Sequence, residues 1–218
     1  YHSFIWLYYM TRFPDMHIRV FNGGIGGDTA YDMNKRLDGD IFSMNPTVLM
    51  VTFGMNDSGY FEYNGDNAKE FGEQKYQESI KNFQQMEKRF KELPSTRMVM
   101  LGTSPYDETA KIKDNTVFKK KNETIKRIVE YQKESAAKNG WEFTDLNAPM
   151  VALNQQFQQK DSTFTLCGND RIHPDNDGHM VMAYLFLKAQ GFSGKNVADI
   201  EINANKKETV KSENCTIS

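Results

Sequence analysis

The chain has 218 residues, and 27 basic against 29 acidic side chains give it a formal net charge of −2. This length suits one domain with a sizeable core, and the near-neutral charge argues against a nucleic-acid-binding protein, which usually carries a basic stripe. The longest apolar run, Phe4 to Met10, is far too short to span a bilayer, and two cysteines are too few for a disulfide framework. We therefore expect one globular domain without nucleic-acid or membrane partners.

The first predicted elements are a helix and a strand. Phe4 to Met10 is apolar on all sides, which predicts a buried helix, and Pro14 follows shortly after its end. Ile18 to Phe21 is a short run of strand-forming residues that leads into the turn Asn22-Gly23-Gly24. The pattern therefore predicts a strand at 18–21 that ends in a tight loop.

A capped helix and a central strand follow. Asp28 or Thr29 is placed to cap a helix that runs through Leu37. Val48 to Phe53 is a continuous apolar run, which is typical of a parallel strand covered on both faces. Residues 55–75 then form a polar loop with aromatic side chains. Long loops at strand ends are places where binding and catalytic sites are commonly built.

The rest of the chain repeats this alternation of helix and strand. The predicted elements are a helix from Tyr76 to Leu93, a strand at Met98–Leu101, a helix from Phe118 to Gly140, a strand at Trp141–Leu146, a short helix from Met150 to Phe157 and a buried helix at His179–Ala189. Strands that alternate with helices at short spacing predict an α/β fold, a three-layer α/β/α sandwich around a parallel sheet.

The last part of the chain breaks the alternation. Asp199 to Asn203 alternates like an edge strand, and a stretch of mixed charge follows it. We therefore divide the chain into a domain at 1–193 and a C-terminal extension at 194–218. The extension is either the start of an added β element or a disordered tail.

Three separated segments carry residues from which a site can be built, and the first is the glycine-rich turn around Gly24. A bare backbone allows close approach to a substrate and donation of the glycine N–H. Neither a Gly-x-Gly-x-x-Gly fingerprint nor a lysine-containing phosphate loop occurs there. The turn therefore either donates a hydrogen bond to an oxyanion or only reverses the chain.

The second segment is Gly54-Met55-Asn56-Asp57, which follows a predicted buried strand. The Asn56 amide can donate a hydrogen bond to a developing oxyanion, and loss of one such donor typically costs about 2.7–4 kcal/mol of transition-state stabilisation. Alternatively, the Asn-Asp pair only forms a turn. Ligands of open parallel sheets bind at the carboxyl ends of strands, so we expect Gly24 and Asn56 at the same edge.

The third segment is Asp170-Arg171-Ile172-His173-Pro174. With a turn between them, the Asp170 carboxylate can accept from the His173 Nδ1–H, which fixes the tautomer and leaves Nε2 as a general base. His179 is better explained as a residue near the start of the last helix. His2 and His17 have no neighbours that suggest a role.

A zinc site is the main competing use of such residues. Zinc needs three or four ligands, and neither a His-Glu-x-x-His motif nor clustered Cys/His spacing occurs, so we expect no metal and no cofactor. The basic run Lys119-Lys120-Lys121 is interpreted as the solvated face of its helix.

Taken together, the three segments resemble the SGNH hydrolase superfamily, also called GDSL-like lipases and acylhydrolases. The ordered blocks of that family are a Gly-Asp-Ser turn, a glycine, Gly-x-Asn-Asp and Asp-x-x-His, and the last three match here in order. The resemblance covers roughly residues 1–191 and implies a flavodoxin-like sheet. It also implies that Gly24 and Asn56 form an oxyanion hole and that Asp170 and His173 are the acid/base pair.

The Gly-Asp-Ser block, which would carry the nucleophile, is absent from the sequence. The serines considered in its place, none of which lies in a nucleophile elbow, are Ser3, Ser43, Ser58 and Ser104. We therefore expect the nucleophilic serine upstream of Tyr1, on a strand that lies between the strands at 18–21 and 48–53. Without that strand the 218 residues alone are expected to be unstable, aggregated and inactive, because buried unpaired backbone groups are costly.

The resemblance therefore implies a serine ester hydrolase that removes acyl or acetyl groups from a carbohydrate substrate, with a small-molecule or glycan ester as its binding partner. Within the superfamily the chain looks most like bacterial carbohydrate esterases, and the polar, aromatic loop at 57–71 suits a sugar ring. The alternatives are a carbohydrate-binding relative that has lost its nucleophile, and a lipase or thioesterase of the same superfamily. A secreted or periplasmic location follows from the resemblance only.

Overall fold

The computed structural model describes residues 1–113, 116–192 and 196–217, which form two compact units, Tyr1–Phe186 and Leu187–Ser218. The helices are α1 (His2–Arg12), α2 (Ala30–Arg36), α3 (Ala68–Phe90), α4 (Lys121–Asn139), α5 (Asn147–Gln158) and α6 (Asn176–Ala189). The strands are β1 (Val48–Val51), β2 (Arg97–Leu101), β3 (Glu142–Thr144), β4 (Asp199–Asn203) and β5 (Glu208–Glu213). No helix in the described ranges is both long enough and apolar enough to cross a membrane.

Three parallel strands form the sheet of the first unit, in the order β1-β2-β3. Val51 of β1 lies beside Met100 of β2, and Leu101 of β2 lies beside Thr144 of β3. Parallel neighbours need crossover connections, which contain α3 between β1 and β2 and α4 between β2 and β3. The predicted α/β fold with a parallel sheet is confirmed.

The central strand β2 is buried on both faces. Met98 and Met100 pack into a cluster that includes Phe83 of α3. Val99 and Leu101 point to the opposite face and are 0% and 1% exposed. Because the residues on both faces of β2 are buried, the strand is covered on both sides, as in a three-layer fold.

Two helix ends agree with the signals in the sequence. Thr29 caps α2, because its side chain accepts from the Asp32 N–H while the Asp32 carboxylate accepts from the Thr29 N–H. Gly140 ends α4 in the left-handed conformation with φ of +69°, which glycine adopts without a Cβ penalty.

The strand predicted at Ile18–Phe21 is absent, because these residues have no regular secondary structure. Among the described residues the parallel sheet contains β1, β2 and β3 and no strand from this segment. A strand exists through its hydrogen-bond ladder to a partner, and strand-forming side chains alone do not supply that partner. Consequently β1 is an edge strand, at which Val48 is 44% exposed.

The two helices predicted to be buried are only partly buried. In α1, Ile5 is buried, whereas Trp6 and Leu7 are 44% and 51% exposed. In α6, Met180 and Tyr184 are 54% and 55% exposed. A helix that is apolar on all sides still buries only the faces that meet another element, so the helices were predicted correctly and their complete burial was not.

The second unit contains an antiparallel hairpin of β4 and β5, in which Asn203 lies opposite Glu208. Within residues 194–218, the described structure contains these two strands. The domain boundary predicted between 193 and 194 lies outside the described residues.

Candidate active site

The turn that contains Gly24 is fixed by its own residues and by α2. The Gly24 N–H donates to Asn22 Oδ1 at 3.1 Å, so this predicted oxyanion donor is already engaged. Arg36 of α2 donates from Nε to Asp28 at 2.6 Å and from Nη1 to the Gly23 carbonyl at 2.7 Å. An oxyanion would have to displace the Asn22 side chain before Gly24 could donate to it.

Asn56 lies in the turn that follows β1 and is held at both ends of its amide. Its Nδ2 donates to the Asp28 carbonyl at 2.9 Å, and its Oδ1 accepts from the Tyr60 hydroxyl at 2.6 Å. Because a carbonyl can only accept, the Asp28 contact fixes which end of the amide faces which partner. One Nδ2 hydrogen remains for an oxyanion, and the Asp28 contact joins the two predicted oxyanion turns.

Asp57 connects the same two turns and has no role in the sequence-based prediction. Its side chain is buried and accepts the Ala30 N–H at 2.9 Å and the Gly54 N–H at 3.0 Å. Burial raises the pKa of Asp57, although the hydrogen bonds from the Ala30 and Gly54 N–H groups oppose the increase. The signal available in the sequence was the last residue of the Gly-Met-Asn-Asp motif, for which only a turn was considered.

Asp170 and His173 are in the contact that their spacing predicts. His173 Nδ1 lies 2.6 Å from Asp170 Oδ2, and Asp170 Oδ1 accepts the N–H groups of Ile172 and His173 at 2.9 Å each. Partial burial acts to raise the pKa of Asp170, but the hydrogen bonds from the His173 ring and the two N–H groups outweigh it and leave the pKa lowered. The His173 side chain is 80% exposed, so its ring is open to a substrate.

Arg171, between these two residues, anchors the loop that carries them. It is 1% exposed, and its Nη1 donates to the carbonyls of Asp107 and Ala110 at 3.1 and 2.8 Å. Its own carbonyl accepts from the Asp107 N–H at 3.1 Å. The exposed Asp170–His173 pair is therefore attached to the protein by a buried arginine, whose burial the polar motif gave no reason to expect.

The Asn56 turn and the Asp170–His173 loop lie close together. Ile172 packs against the same aromatic cluster as Met55 and Tyr60. Burial, followed by the carboxylates of Asp170 and Asp57, raises the pKa of Tyr60 to about 12. The structure thus brings the Asn56 turn and the loop of Asp170 and His173 against one cluster, while the catalytic roles of these residues stay predictions.

The interpretation of Lys119-Lys120-Lys121 as a solvated face is wrong for Lys121, which is fully buried. Its Nζ donates to the Met55 carbonyl at 2.8 Å, to Ser58 Oγ at 2.6 Å and to the Gly59 carbonyl. The physical reason is position, because Lys121 is the first residue of α4 and helical side chains tilt toward the helix N-terminus. There its side chain reaches the turn after β1.

No serine in the described part of the chain hydrogen-bonds to the His173 ring, whose partner is Asp170. Ser58 donates to the Met55 carbonyl at 2.9 Å, and Ser43 donates to the Gly39 carbonyl at 2.5 Å. Within the described ranges there is also no group of three His, Cys, Asp or Glu side chains placed to hold a metal ion.

Comparison with known proteins adds a family match. The GDSL-like Lipase/Acylhydrolase family matches residues 6–181, a range that contains Gly24, Asn56, Asp170 and His173. An acetylxylan esterase from Geobacillus stearothermophilus is 26% identical over 182 residues, which are 83% of this chain and 75% of that relative.

Solved structures show the same fold. A gut microbial diltiazem-metabolizing enzyme is 88% identical and matches 100% of this chain with a TM-score of 0.94. The match spans 49% of that enzyme, so this chain corresponds to about half of its length. A catalytic serine-to-alanine mutant of the Geobacillus stearothermophilus acetylxylan esterase is 22% identical, with a TM-score of 0.66 over 88% of this chain and 80% of that chain.

Proposed function

Because the chain belongs to the GDSL-like lipase/acylhydrolase family, we propose that it supplies the acid/base and oxyanion groups of a serine ester hydrolase. The observation that carries the proposal is the 2.6 Å contact between His173 Nδ1 and Asp170 Oδ2 beside an exposed imidazole ring. This contact fixes one tautomer and leaves Nε2 to exchange a proton with a nucleophile.

The nucleophile in this proposal is a serine outside residues 1–218. Two observations support it. No serine in the described ranges hydrogen-bonds to His173, and replacement of a serine defines the catalytic mutant of the related acetylxylan esterase. Because β1 is an edge strand, its outer edge can form hydrogen bonds with a further strand. In this proposal that further strand carries the serine.

In the proposed reaction the serine Oγ attacks the ester carbonyl carbon while its proton passes to His173 Nε2. Asp170 stabilises the imidazolium through Nδ1. The oxyanion accepts from the free Nδ2 hydrogen of Asn56, and from the Gly24 N–H once that group has left Asn22. His173 returns the proton to the leaving alcohol, and water then hydrolyses the acyl-enzyme by the same steps.

The proposed substrate is an acetyl ester of a carbohydrate or of another compact ring system. Phe61 is 78% exposed and packs edge-on against Phe118, with 5.5 Å between ring centroids, next to Tyr60 of the Asn56 turn. An exposed aromatic ring close to an oxyanion donor suits the flat face of a substrate ring. One relative supports this substrate class, since it is named as an acetylxylan esterase.

Hydrolysis of p-nitrophenyl acetate by the full-length protein tests the proposal. His173→Ala removes the general base, and Asp170→Asn removes the charge that stabilises the imidazolium. Each is expected to lower kcat/KM by roughly 10³-fold or more. His17→Ala, at an exposed position without a proposed role, is the control and should retain activity. Wild-type rates in folded His173→Ala would contradict the proposal.

A carbohydrate-binding protein without catalysis is the second candidate, and the engaged Gly24 N–H favours it. Calorimetric titration with an acetylated xylo-oligosaccharide, followed by assay of released acetate, separates the two. Binding without acetate release supports the second candidate, whereas release that His173→Ala abolishes supports the esterase. A lipase of the same family would instead prefer long-chain p-nitrophenyl esters over the acetate.

A further inference from the structure

We infer that Lys121 is a positioning residue for the oxyanion hole. Lys121 holds the Tyr60 ring and the turn from Met55 to Gly59, and in that conformation Asn56 presents its free Nδ2 hydrogen to the substrate. The catalytic consequence rests on the proposed function, whereas the contacts stand without it. None of the contacts that Lys121 makes is with Asp170 or His173, so it acts through other residues.

Lys121 fixes the turn at both ends. Its Nζ donates to the Met55 carbonyl at 2.8 Å, to Ser58 Oγ at 2.6 Å and to the Gly59 carbonyl. An ammonium group has three N–H donors and no acceptor, so these contacts use its full capacity. Asn56 lies between the bound residues and moves with them.

Tyr60 connects Lys121 to the Asn56 amide. Nζ lies 3.9 Å from the centroid of the Tyr60 ring, where a cation is attracted to the ring face. The hydroxyl of that ring donates to Asn56 Oδ1 at 2.6 Å, and with its pKa raised to about 12 it stays protonated at neutral pH. Since Asp28 binds one Nδ2 hydrogen, the direction of the remaining hydrogen is set.

A packing role alone does not account for a lysine at this position. Burial of an ammonium group is costly unless it is paired, and all the hydrogen bonds of Lys121 are to a hydroxyl and two carbonyls. A methionine of similar length would fill the same space without that cost. What the lysine adds is a fixed conformation of the turn and of the ring.

The charge on Lys121 changes close to neutral pH. Burial lowers its pKa to about 7, and the Asp57 carboxylate opposes this. The rings of two other titratable groups, Tyr60 and Tyr106, face the Lys121 Nζ. At the start of α4, the Glu108 carboxylate accepts the N–H groups of Lys120 and Asn122. A neutral amine has two N–H donors instead of three, so one acceptor in the turn loses its partner as the pH rises through 7.

NMR of the full-length protein, labelled with ¹⁵N-asparagine and ¹³Cε-lysine, tests the inference without an esterase assay. In the wild type, the Asn56 side-chain NH₂ signals and the Lys121 ¹³Cε signal are expected to titrate with a common midpoint near pH 7. In Lys121→Met, the Asn56 signals should lose this titration and move toward those of a mobile, solvated amide. Lys126→Met, at an exposed position on the same helix, is the matched control and should change neither.

Kinetics with p-nitrophenyl acetate form the catalytic arm of the test. Lys121→Met is expected to lower kcat by roughly tenfold or more with KM unchanged within about twofold, because the affected interaction forms in the transition state. Tyr60→Phe removes only the hydroxyl contact and should lower kcat in the same way. The double variant should be no slower than the slower single variant, because both residues act through Asn56.

Separate midpoints for Asn56 and Lys121 in the wild type would overturn the inference, and so would unchanged Asn56 signals in folded Lys121→Met. If Lys121→Met does not fold, the wild-type titration and Tyr60→Phe decide, and unchanged Asn56 signals in Tyr60→Phe would also overturn it. A full-length protein without any esterase activity refutes the proposed function, and the NMR result still decides whether Lys121 positions Asn56.

Discussion

At the scale of single residues, Asp57 shows how the oxyanion turns are held together. It accepts hydrogen bonds from the N–H groups of Ala30, at the start of α2, and of Gly54, in the turn after β1. Its carboxylate therefore connects the Gly24 turn to the Asn56 turn, although it has no contact with substrate in the proposed reaction. Because the side chain is buried, water cannot easily replace it.

We expect Asp57→Ala to lower the free energy of unfolding by roughly 2–5 kcal/mol, because it leaves two buried N–H groups without acceptors. Urea unfolding of the full-length protein measures this change. Asp66→Ala, at an exposed position, is the control and should cost less than about 0.5 kcal/mol. Equal midpoints for the two variants would show that Asp57 does not hold the turns.

The raised pKa of Asp57 sets the sign of its effect on stability with pH. The folded protein binds this proton more tightly than the unfolded chain does, so the contribution is fully present below the ordinary pKa of 3.8. It is lost as the pH rises through the higher pKa of the folded state. Asp57→Asn, which cannot titrate, should remove this part of the pH dependence.

A contact could be predicted from the sequence only where the two residues lie close together along the chain. Asp170 and His173 are three residues apart, so their contact follows from local geometry. Asp57 meets Ala30 across 27 residues, and Lys121 meets Met55 across 66. Such contacts depend on the tertiary fold, and no local pattern distinguishes a buried Lys121 from the solvated lysines beside it.

At the scale of elements, the helices and the central strands were predicted because their hydrophobic periods are local properties. The strand at Ile18–Phe21 was not a correct prediction, because a strand also needs a neighbour with which to form its ladder. The loop that carries Asp170 and His173 shows a third kind of constraint. Gly168 has φ of +69°, and a Cβ added there would lie 2.2 Å from the His173 carbonyl oxygen.

This close approach predicts different effects for two glycines with the same backbone conformation. Gly140 also has φ of +69°, but an added Cβ there meets nothing within 4 Å. Gly140→Ala should therefore cost only the left-handed penalty of about 1–2 kcal/mol. Gly168→Ala should cost more and should also lower kcat/KM, because the His173 backbone has to move. Thermal unfolding and p-nitrophenyl acetate kinetics measure both effects, and equal losses in the two variants would contradict this explanation.

At the scale of the whole molecule, the chain presents an acid/base pair and an oxyanion donor, and no serine in the described ranges hydrogen-bonds to their side chains. The chain corresponds to 49% of the length of the diltiazem-metabolizing enzyme that it resembles. The expectation that the 218 residues alone are unstable and inactive stays a prediction. It depends on the central proposal that a serine outside residues 1–218 completes the site.

Labelling of the full-length protein with a fluorophosphonate, followed by peptide mass spectrometry, tests this proposal most directly. A serine activated by a general base reacts with such reagents much faster than other serines do. We expect one modified serine, located outside residues 1–218, and a large loss of labelling in His173→Ala. Modification of a serine within the chain, such as Ser58 or Ser104, or labelling at the wild-type rate in His173→Ala, would contradict the proposed site.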